Sequence, residues 1–307
     1  MRRGRRQVET GAAGTISWRA GDSLRQLPIA MPLLILAAVA LAIIAWLLRE
    51  PLFAGLRRRR VRRQPFPPEW RQILRRRVPL FRTMPADLQL QLKKHILVFV
   101  AEKAFVGCAG LIVDEEIRIT IAAQACLLIL NRRGEHFGNL REVLVYPGGF
   151  VAARSNVDAA GVMQSRHLAL AGESSSRGQV VVSWDDAVAG AAVPDDGRNV
   201  VIHEFAHQLD QADGVANGAP PMYGRARRER WARVMGDEFA QLQQRADARQ
   251  PSVLDNYGAT DPAEFFAVAS EALFEQPKRL ATEHAALYAE LRGFYRVDPS
   301  SWQGRGL

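Results

Sequence analysis

The sequence predicts an α+β protein, mainly helical with a small sheet, that is preceded by one N-terminal transmembrane helix. Residues 28–48 form a run of 21 residues without a charge, about the length that crosses a bilayer core as a helix. After this run, long stretches repeat apolar residues with helical spacing, and only two short stretches are rich in β-branched residues. With 48% hydrophobic and 24% charged residues, the chain is typical of globular proteins.

The chain divides into four predicted segments. Residues 1–27 have no apolar period and are expected to be disordered. Residues 28–48 are the predicted membrane helix, residues 49–65 an arginine-rich juxtamembrane linker, and residues 66–300 the folded domain.

The basic residues are concentrated before the folded domain. Residues 1–63 hold 13 arginines against three acidic residues, whereas residues 64–307 hold 28 basic and 29 acidic residues. This near-neutral body argues against direct binding of nucleic acid. More arginines follow the apolar run than precede it, so the positive-inside rule predicts a single-pass protein of the inner (cytoplasmic) membrane with its domain in the cytoplasm. The arginines of the linker are expected to lie on anionic lipid headgroups.

The folded domain has a helical period over most of its length. Helices are predicted over residues 69–77, 85–101, 117–130 and 225–246, from Pro262 onward, and over residues 284–295. Strands are predicted over residues 141–151, broken at 147–149, and over residues 179–184, with a loop at 172–178. Two cysteines exclude a disulfide framework, and we interpret Cys108 and Cys126 as small buried hydrophobic residues.

The stretch 200–213 carries His203, Glu204 and His207 in the order H-E-x-x-H. Residues four apart share one face of a helix, so both imidazoles can bind one metal ion. Zinc favours imidazole nitrogen and, in catalytic sites, keeps one position for water. A carboxylate beside the first histidine can accept a proton from that water as it attacks a carbonyl carbon. The alternative is an ordinary amphipathic helix, in which two buried histidines and a glutamate without a metal would be costly.

Such a site needs a third protein ligand, and the residues leave its identity open. A histidine six residues after the motif would complete the extended metzincin pattern, but this position is Asp213. Downstream, Glu264 and Glu271 lie seven apart on an otherwise apolar helix, where an inward carboxylate needs a cationic or metal partner. Asp261 and Glu264 fit a capping box equally well, in which Glu264 only bonds the backbone.

Several stretches resemble a known family. The sequences HEFAHQLD at 203–210 and NYGATDPAEFFA at 256–267 are similar to the Mlc titration factor A family of glucose-regulated metallopeptidases, as are residues 66–70, 121–130 and 178–186. The resemblance covers nearly all of residues 65–280. It implies a zinc-dependent peptide hydrolase with a zincin-like (gluzincin-type) domain and Zn²⁺ as its cofactor.

The same residues are similar, more distantly, to the catalytic domain of anthrax lethal factor, where H-E-F-G-H pairs with a later E-F-F-A-E helix. That resemblance implies that Glu264 is the third zinc ligand and that Tyr257 assists catalysis. A phenol near zinc can donate a hydrogen bond to an oxyanion, although a tyrosine that only packs before the helix is the alternative. Glu271 lies outside the lethal-factor spacing, and we interpret it as a residue behind the ligands.

Two further features complete the interpretation of the site. Asp210 shares a helix face with both histidines and is placed to orient an imidazole N–H, while capping or pairing at the helix end is the alternative. By fold analogy alone, the strand at 179–184 is expected to pair with the backbone of an extended peptide substrate.

The resulting hypothesis is a membrane-anchored cytoplasmic zinc metallopeptidase in which Glu204 is the general base. The family resemblance also implies an alternative, a regulatory protein that sequesters a transcriptional repressor such as Mlc, with peptidase activity secondary. A structural zinc site is the third hypothesis, and it predicts that chelation unfolds the domain.

Overall fold

The computed structural model of the chain describes residues 30–132, 136–148, 178–193, 195–214 and 216–302. The tail predicted over residues 1–27 lies outside these ranges, as does most of the loop predicted over residues 172–178. The chain clusters into two units, Met1–Leu56 and Arg57–Leu307. All the elements described below, apart from the first part of α1, belong to the second unit.

Helix α1 (Ala30–Arg62) includes most of the predicted membrane span. Among the residues that the structure describes, however, no helix is both long enough and apolar enough to cross a membrane. The predicted transmembrane helix over residues 28–48 and the single-pass inner-membrane location are therefore wrong.

Two arginines in the last part of α1 form hydrogen bonds with other residues of the second unit. Residues 49–62, predicted as part of a linker, continue this helix. The Arg58 guanidinium donates two hydrogen bonds to the Glu102 carboxylate, at 2.7 and 2.9 Å. Arg57 donates to the backbone oxygen of Ala101 at 2.9 Å. These two arginines bind a helix end of the same unit, where a negative partial charge favours cations.

The first helices of the second unit are α2 (Pro68–Arg77), α3 (Leu80–Thr83), α4 (Ala86–Glu102) and α5 (Glu115–Leu127). Asp114 caps α5, because its carboxylate accepts the N–H of Ile117 at 2.8 Å. The predicted helices at 69–77 and 85–101 are confirmed, and so is a buried helix rather than a strand within 117–130. Both cysteines are free, and Cys126 lies in the core as predicted, whereas Cys108 is only half-buried.

Three short strands form the described sheet, in the order β1 (Ala104–Gly107), β2 (Glu142–Tyr146) and β3 (Gln179–Ser183). Both pairs are parallel, and Val143 lies opposite Phe105 on one side and Val180 on the other. Helix α5 connects β1 to β2, since parallel neighbours need a crossover. The predicted small sheet is confirmed, but the sequence analysis predicts neither strand β1 nor the parallel arrangement of the strands. Residues 149–151 of the strand predicted over 141–151 lie outside the described residues.

The described helices after the sheet are α6 (Trp184–Ala192), α7 (Val200–Asp210), α8 (Arg225–Asp247), α9 (Pro262–Glu275), α10 (Pro277–Glu283) and α11 (Ala285–Tyr295). The helices predicted around the H-E-x-x-H motif, over 225–246, from Pro262 and over 284–295 are confirmed, whereas α6 and α10 are not foreseen. Helix α7 occupies the centre, where it contacts α5, α6, α9 and β3.

Helix α9 is buried from Ala263 to Glu275. The ring of Phe266 lies 5.8 Å from that of Trp231 on α8 and 5.7 Å from that of Phe294 on α11, between ring centroids. The hydroxyls of Ser270 on α9 and Tyr295 on α11 form a hydrogen bond of 2.6 Å. Because α7 packs on α9 as well, the central helix pair is enclosed by the rest of the domain.

Asn199 joins the start of α7 to the end of α9. Its side-chain oxygen accepts the N–H of Ile202 at 3.0 Å and so caps α7. Its amide nitrogen donates to the Gly190 carbonyl at 3.2 Å and to a Glu275 carboxyl oxygen at 3.0 Å. Glu275 is only 2% exposed, and burial raises its pKa to about 8. The folded chain therefore holds this carboxyl protonated at neutral pH.

The variant Glu275→Gln tests this protonation state. The pKa of Glu275 is higher in the folded chain than its ordinary value of 4.5, so the folded state gains stability that is complete below pH 4.5 and is lost as the pH rises to about 8. Glutamine keeps the oxygen that accepts from Asn199 but does not ionise. Between pH 5 and 8, the free energy of unfolding of the unmodified chain should fall relative to the variant, by up to about 1 kcal/mol per pH unit. Parallel curves in urea unfolding across this range would contradict the assignment.

Candidate metal centre

Helix α7 presents His203, Glu204 and His207 inside the domain. These three residues are only 8%, 6% and 7% exposed, respectively. The apolar neighbours Val201 and Phe205 on the same helix are fully buried, which explains why the polar face cannot turn toward solvent. The i, i+4 spacing brings the two imidazole rings to 4.9 Å between centroids.

The first turn of α9 brings Glu264 to the two imidazoles. The Asp261 carboxylate caps α9, since one of its oxygens accepts the N–H of Ala263 at 2.8 Å and of Glu264 at 3.0 Å. The Glu264 carboxylate instead lies 3.0 Å from Nε2 of His203 and 3.4 Å from Nε2 of His207. Of the two alternatives left open by the sequence, the structure therefore favours an inward carboxylate over a capping box.

The three groups have the spacing of a tetrahedral metal site. The Nε2 atoms of His203 and His207 are 3.2 Å apart, and one oxygen of Glu264 lies 3.0 and 3.4 Å from them. Zinc bonds of about 2.0–2.1 Å at tetrahedral angles would separate two ligand atoms by about 3.3 Å. The residues present thus fit a zinc-sized divalent ion, with two nitrogen donors and one carboxylate oxygen.

Glu271 holds the outer nitrogen of the first histidine. One of its carboxylate oxygens lies 2.7 Å from Nδ1 of His203, and the other accepts the backbone N–H of Asn199 at 2.5 Å. A carboxylate in this position fixes the tautomer with Nε2 directed at the metal site and increases the basicity of the imidazole. The interpretation of Glu271 as a residue behind the ligands agrees with this placement.

The surroundings shift the pKa values of the ionisable groups at this site in different directions. Burial alone would lower the pKa of His203, but the carboxylates of Glu271 and Glu264 outweigh burial and raise it well above the ordinary value. Burial opposes ionisation of Glu264, yet hydrogen bonds from the two histidines lower its pKa to about 2. Burial raises the pKa of Glu204, more than the nearby histidines lower it. The Glu264 carboxyl is therefore held ionised, whereas the pKa of Glu204 moves closer to neutral pH.

Tyr257 lies beside this cluster on a short 3-10 turn (Asn256–Ala259) that precedes α9. The Asp255 carboxylate accepts the N–H of Tyr257 at 2.9 Å and fixes the turn. The phenol ring is 6.0 Å from the His203 ring, between centroids. Burial and the neighbouring Glu264 carboxylate raise the pKa of Tyr257 above its usual range, so the hydroxyl keeps its proton at neutral pH.

The carboxylate of Asp210 contacts the loop that follows α7. It accepts the backbone N–H of Gly218 at 2.7 Å. Burial raises the pKa of Asp210 to about 6. Of the two interpretations of Asp210, pairing at the helix end agrees with this contact.

Asn199 and Glu275 are the residues behind the site that the sequence interpretation does not include. Asn199 stands directly before the apolar start of α7, which is a recognisable N-cap signal. Glu275 follows Glu271 by four residues and shares its helix face. Their hydrogen bond joins the start of α7 to the end of α9. Only the tertiary packing brings these two residues together.

The chain is similar to several known proteins. An uncharacterised protein of Synechocystis is 35% identical over 270 residues, which cover 88% of this chain and 98% of that protein. A protein named Mlc titration factor A from Salmonella agona is 31% identical over 225 residues, covering 73% of this chain and 84% of the relative. Another of that name from Serratia proteamaculans is 30% identical over 234 residues, covering 75% and 87%.

The family match extends through the whole described site. Residues 53–296 match the family described as glucose-regulated metallo-peptidase M90, and this range includes His203, His207 and Glu264. The predicted family resemblance is confirmed, while the more distant similarity to lethal factor stays a prediction. A metallopeptidase family implies a divalent metal, for which these three residues provide the site. The chain belongs to the M90 family of glucose-regulated metallo-peptidases.

Proposed function

We propose that the chain is a zinc-dependent peptidase that hydrolyses peptide bonds, with a zincin-like (gluzincin-type) domain over residues 66–300. The observation that carries this proposal is the convergence of His203, His207 and Glu264, whose ligand atoms lie 3.0 to 3.4 Å apart, with the buried Glu204 on the same helix. Two imidazoles and one carboxylate are a ligand set typical of catalytic zinc.

The proposed reaction depends on Glu204 as a general base. A zinc ion at the site would supply Lewis acidity toward the peptide carbonyl and would lower the pKa of a water molecule. Glu204 accepts the proton from the attacking water and returns it to the leaving amine. Its pKa, raised by burial, favours both directions of this transfer, because a base with a pKa closer to the working pH also serves as an acid.

Tyr257 is the proposed donor to the tetrahedral oxyanion. Its hydroxyl stays protonated, since burial and the Glu264 carboxylate raise its pKa. A donor held by the turn before α9 is oriented before the substrate arrives, which favours stabilisation of charge that develops only in the transition state.

The substrate is proposed to bind as an extended peptide. Strand β3 is an end strand in the order of the described sheet, and it contacts α7, which carries the motif. Backbone pairing with such a strand is a general mode of peptide recognition. It would bring a peptide alongside the helix that bears Glu204.

A regulatory role is the second candidate. Two of the relatives are named Mlc titration factor A, and this name favours a protein that binds a transcriptional repressor. In this alternative the domain sequesters the repressor, and peptide hydrolysis is secondary.

The variant Glu204→Gln separates the proposed activity from metal binding. It should keep stoichiometric zinc, because Glu204 is not one of the three converging ligands, and should lose at least about 100-fold in kcat/KM, the contribution of a general base. Hydrolysis of a quenched fluorescent peptide library measures activity, and metal analysis measures zinc. Glu69→Gln, at an exposed position, is the matched control.

Unchanged hydrolysis in Glu204→Gln would contradict the peptidase proposal. Full repressor binding by the inactive variant, together with unchanged regulation in cells, would favour the sequestering role. Unfolding on chelation, with no peptide cleaved by the zinc-loaded chain, would favour a structural metal.

The variant Tyr257→Phe tests the oxyanion donor. The ring against His203 is retained while the hydroxyl is lost, so kcat should fall by about 10²- to 10³-fold with little change in zinc content. Tyr223→Phe, at a residue that is 97% exposed, serves as the control. An unaltered kcat in Tyr257→Phe would assign this residue to packing alone.

The variant Glu271→Gln tests the contact behind His203. Loss of the negative charge at Nδ1 should weaken zinc binding by about 10- to 100-fold, measured by competition with a chelator of known affinity. The comparison is Glu283→Gln on α10, whose carboxylate contacts only Arg279 at the surface among the described residues. Equal zinc affinity in the two variants would refute a positioning role for Glu271.

A further inference from the structure

A second cleft lies in the domain, apart from the metal centre. Its volume is about 660 Å³, within the range of about 300–1,000 Å³ that holds small-molecule ligands. Four basic side chains come from separate parts of the chain, and three further polar residues lie between them: Arg62, Lys94, Arg132 and Arg296, with Gln91, His95 and Asn131. We call this site the basic cleft.

Three of the cations in the basic cleft, Arg62, Lys94 and Arg296, lack an acidic partner among the described residues. No acidic residue is among the described residues that line it. Within the described residues, Lys94 and Arg296 form no ion pair, and Arg62 donates to Nε2 of His136 at 3.1 Å rather than to a carboxylate. Like charges gathered around one concave space repel each other unless an anion joins them.

Two of the contributing segments are held in place by backbone contacts. The guanidinium of Arg132 donates to the carbonyl of Phe294 at 3.0 Å and lies 4.0 Å from the centre of its ring. The Asn131 side chain donates to the carbonyl of Arg296 at 2.9 Å. Asn131 and Arg296 both have left-handed backbones, with φ of 51° and 58°. The Arg132 guanidinium and the backbone that carries the Arg296 side chain are therefore positioned before any ligand binds.

Two buried nitrogens in the wall have no hydrogen-bond partner in the part of the chain that the structure describes. They are Nε of Arg62 and Nδ1 of His95. Burial, together with the positive charge of Arg62, lowers the pKa of His95 to about 4. A buried nitrogen without a partner is costly, and a ligand with oxygen acceptors would remove that cost.

We propose that the basic cleft binds a small organic phosphate through Arg62, Lys94, Arg132 and Arg296. The cations approach from four separate positions along the chain, which suits the three oxygens of a phosphate monoester better than the two coplanar oxygens of a carboxylate. A phosphate monoester carries about two negative charges at neutral pH, so it neutralises several of these cations at once.

The charge distribution favours a small ligand over nucleic acid. The unit that contains the cleft, residues 57–307, holds 34 basic and 29 acidic residues, a small excess compared with that of proteins that bind a phosphate backbone. The cations line a concave space of limited volume instead of a continuous track. Binding of an acidic protein segment is the competing possibility, and the experiment includes it.

Calorimetric titration of the zinc-loaded full chain with ribose 5-phosphate tests the proposal, with ribose, citrate, a polyglutamate peptide and a short oligonucleotide as comparisons. Saturable binding of ribose 5-phosphate at one site per chain is expected, weakening as salt increases, with no binding of ribose. The double variant Lys94→Gln/Arg296→Gln should bind about 100-fold more weakly, about tenfold for each lost charged contact.

The control is Lys278→Gln/Arg233→Gln, which removes the same charge at exposed positions outside the cleft and should bind as the unmodified chain does. Thermal unfolding of both double variants verifies that they fold. The proposal is overturned if ribose 5-phosphate does not saturate at millimolar concentrations, or if it binds the cleft variant and the control equally, as it would at the metal centre. Equal or tighter cleft-dependent binding of citrate, the acidic peptide or the oligonucleotide would also overturn it.

Discussion

The contact between the Glu264 carboxylate and the two histidine rings is the constraint on which the rest of the domain depends. Ionisable groups that are this deeply buried are costly unless they are paired or bind a metal. The pairing requires α7 and α9 to lie at one fixed distance and in one register. Helices α5, α8 and α11 and the small sheet supply the apolar surroundings that hold these two helices together.

Within the metal site, different surroundings give two buried glutamates different roles. Glu264 and Glu204 are both buried glutamates near the same histidines, yet hydrogen bonds from the imidazoles lower the pKa of the first, whereas burial raises the pKa of the second. Carboxyls whose environments move their pKa values apart are a recurrent basis for acid and base roles in enzymes. The Glu271 carboxylate contacts Nδ1 of His203 and accepts the backbone N–H of Asn199, so it orients the ring from the side away from the proposed ligand atom.

What the sequence predicts well is local. The motif spacing places His203 and His207 on one helix face, and apolar periods locate most helices, because these patterns depend on neighbours within a few turns. Glu264 is 61 residues from His203, so its role stays open until packing shows that Asp261 alone caps α9. The Asn199 contact with Glu275 likewise needs two distant helix ends to meet. The membrane helix is wrongly predicted because an apolar run alone does not establish a helix able to cross a bilayer.

Because later residues enclose α9, the order of synthesis determines when the metal site can form. Every proposed metal ligand has been synthesised once α9 is made, yet Phe294 and Tyr295, which cover that helix, come later in the chain. A nascent chain that ends before α11 exposes the apolar face of α9 and lacks the packing that aims Glu264. Assembly of the centre therefore waits for the C-terminal helix, and a prematurely terminated product would carry the whole motif without a working site.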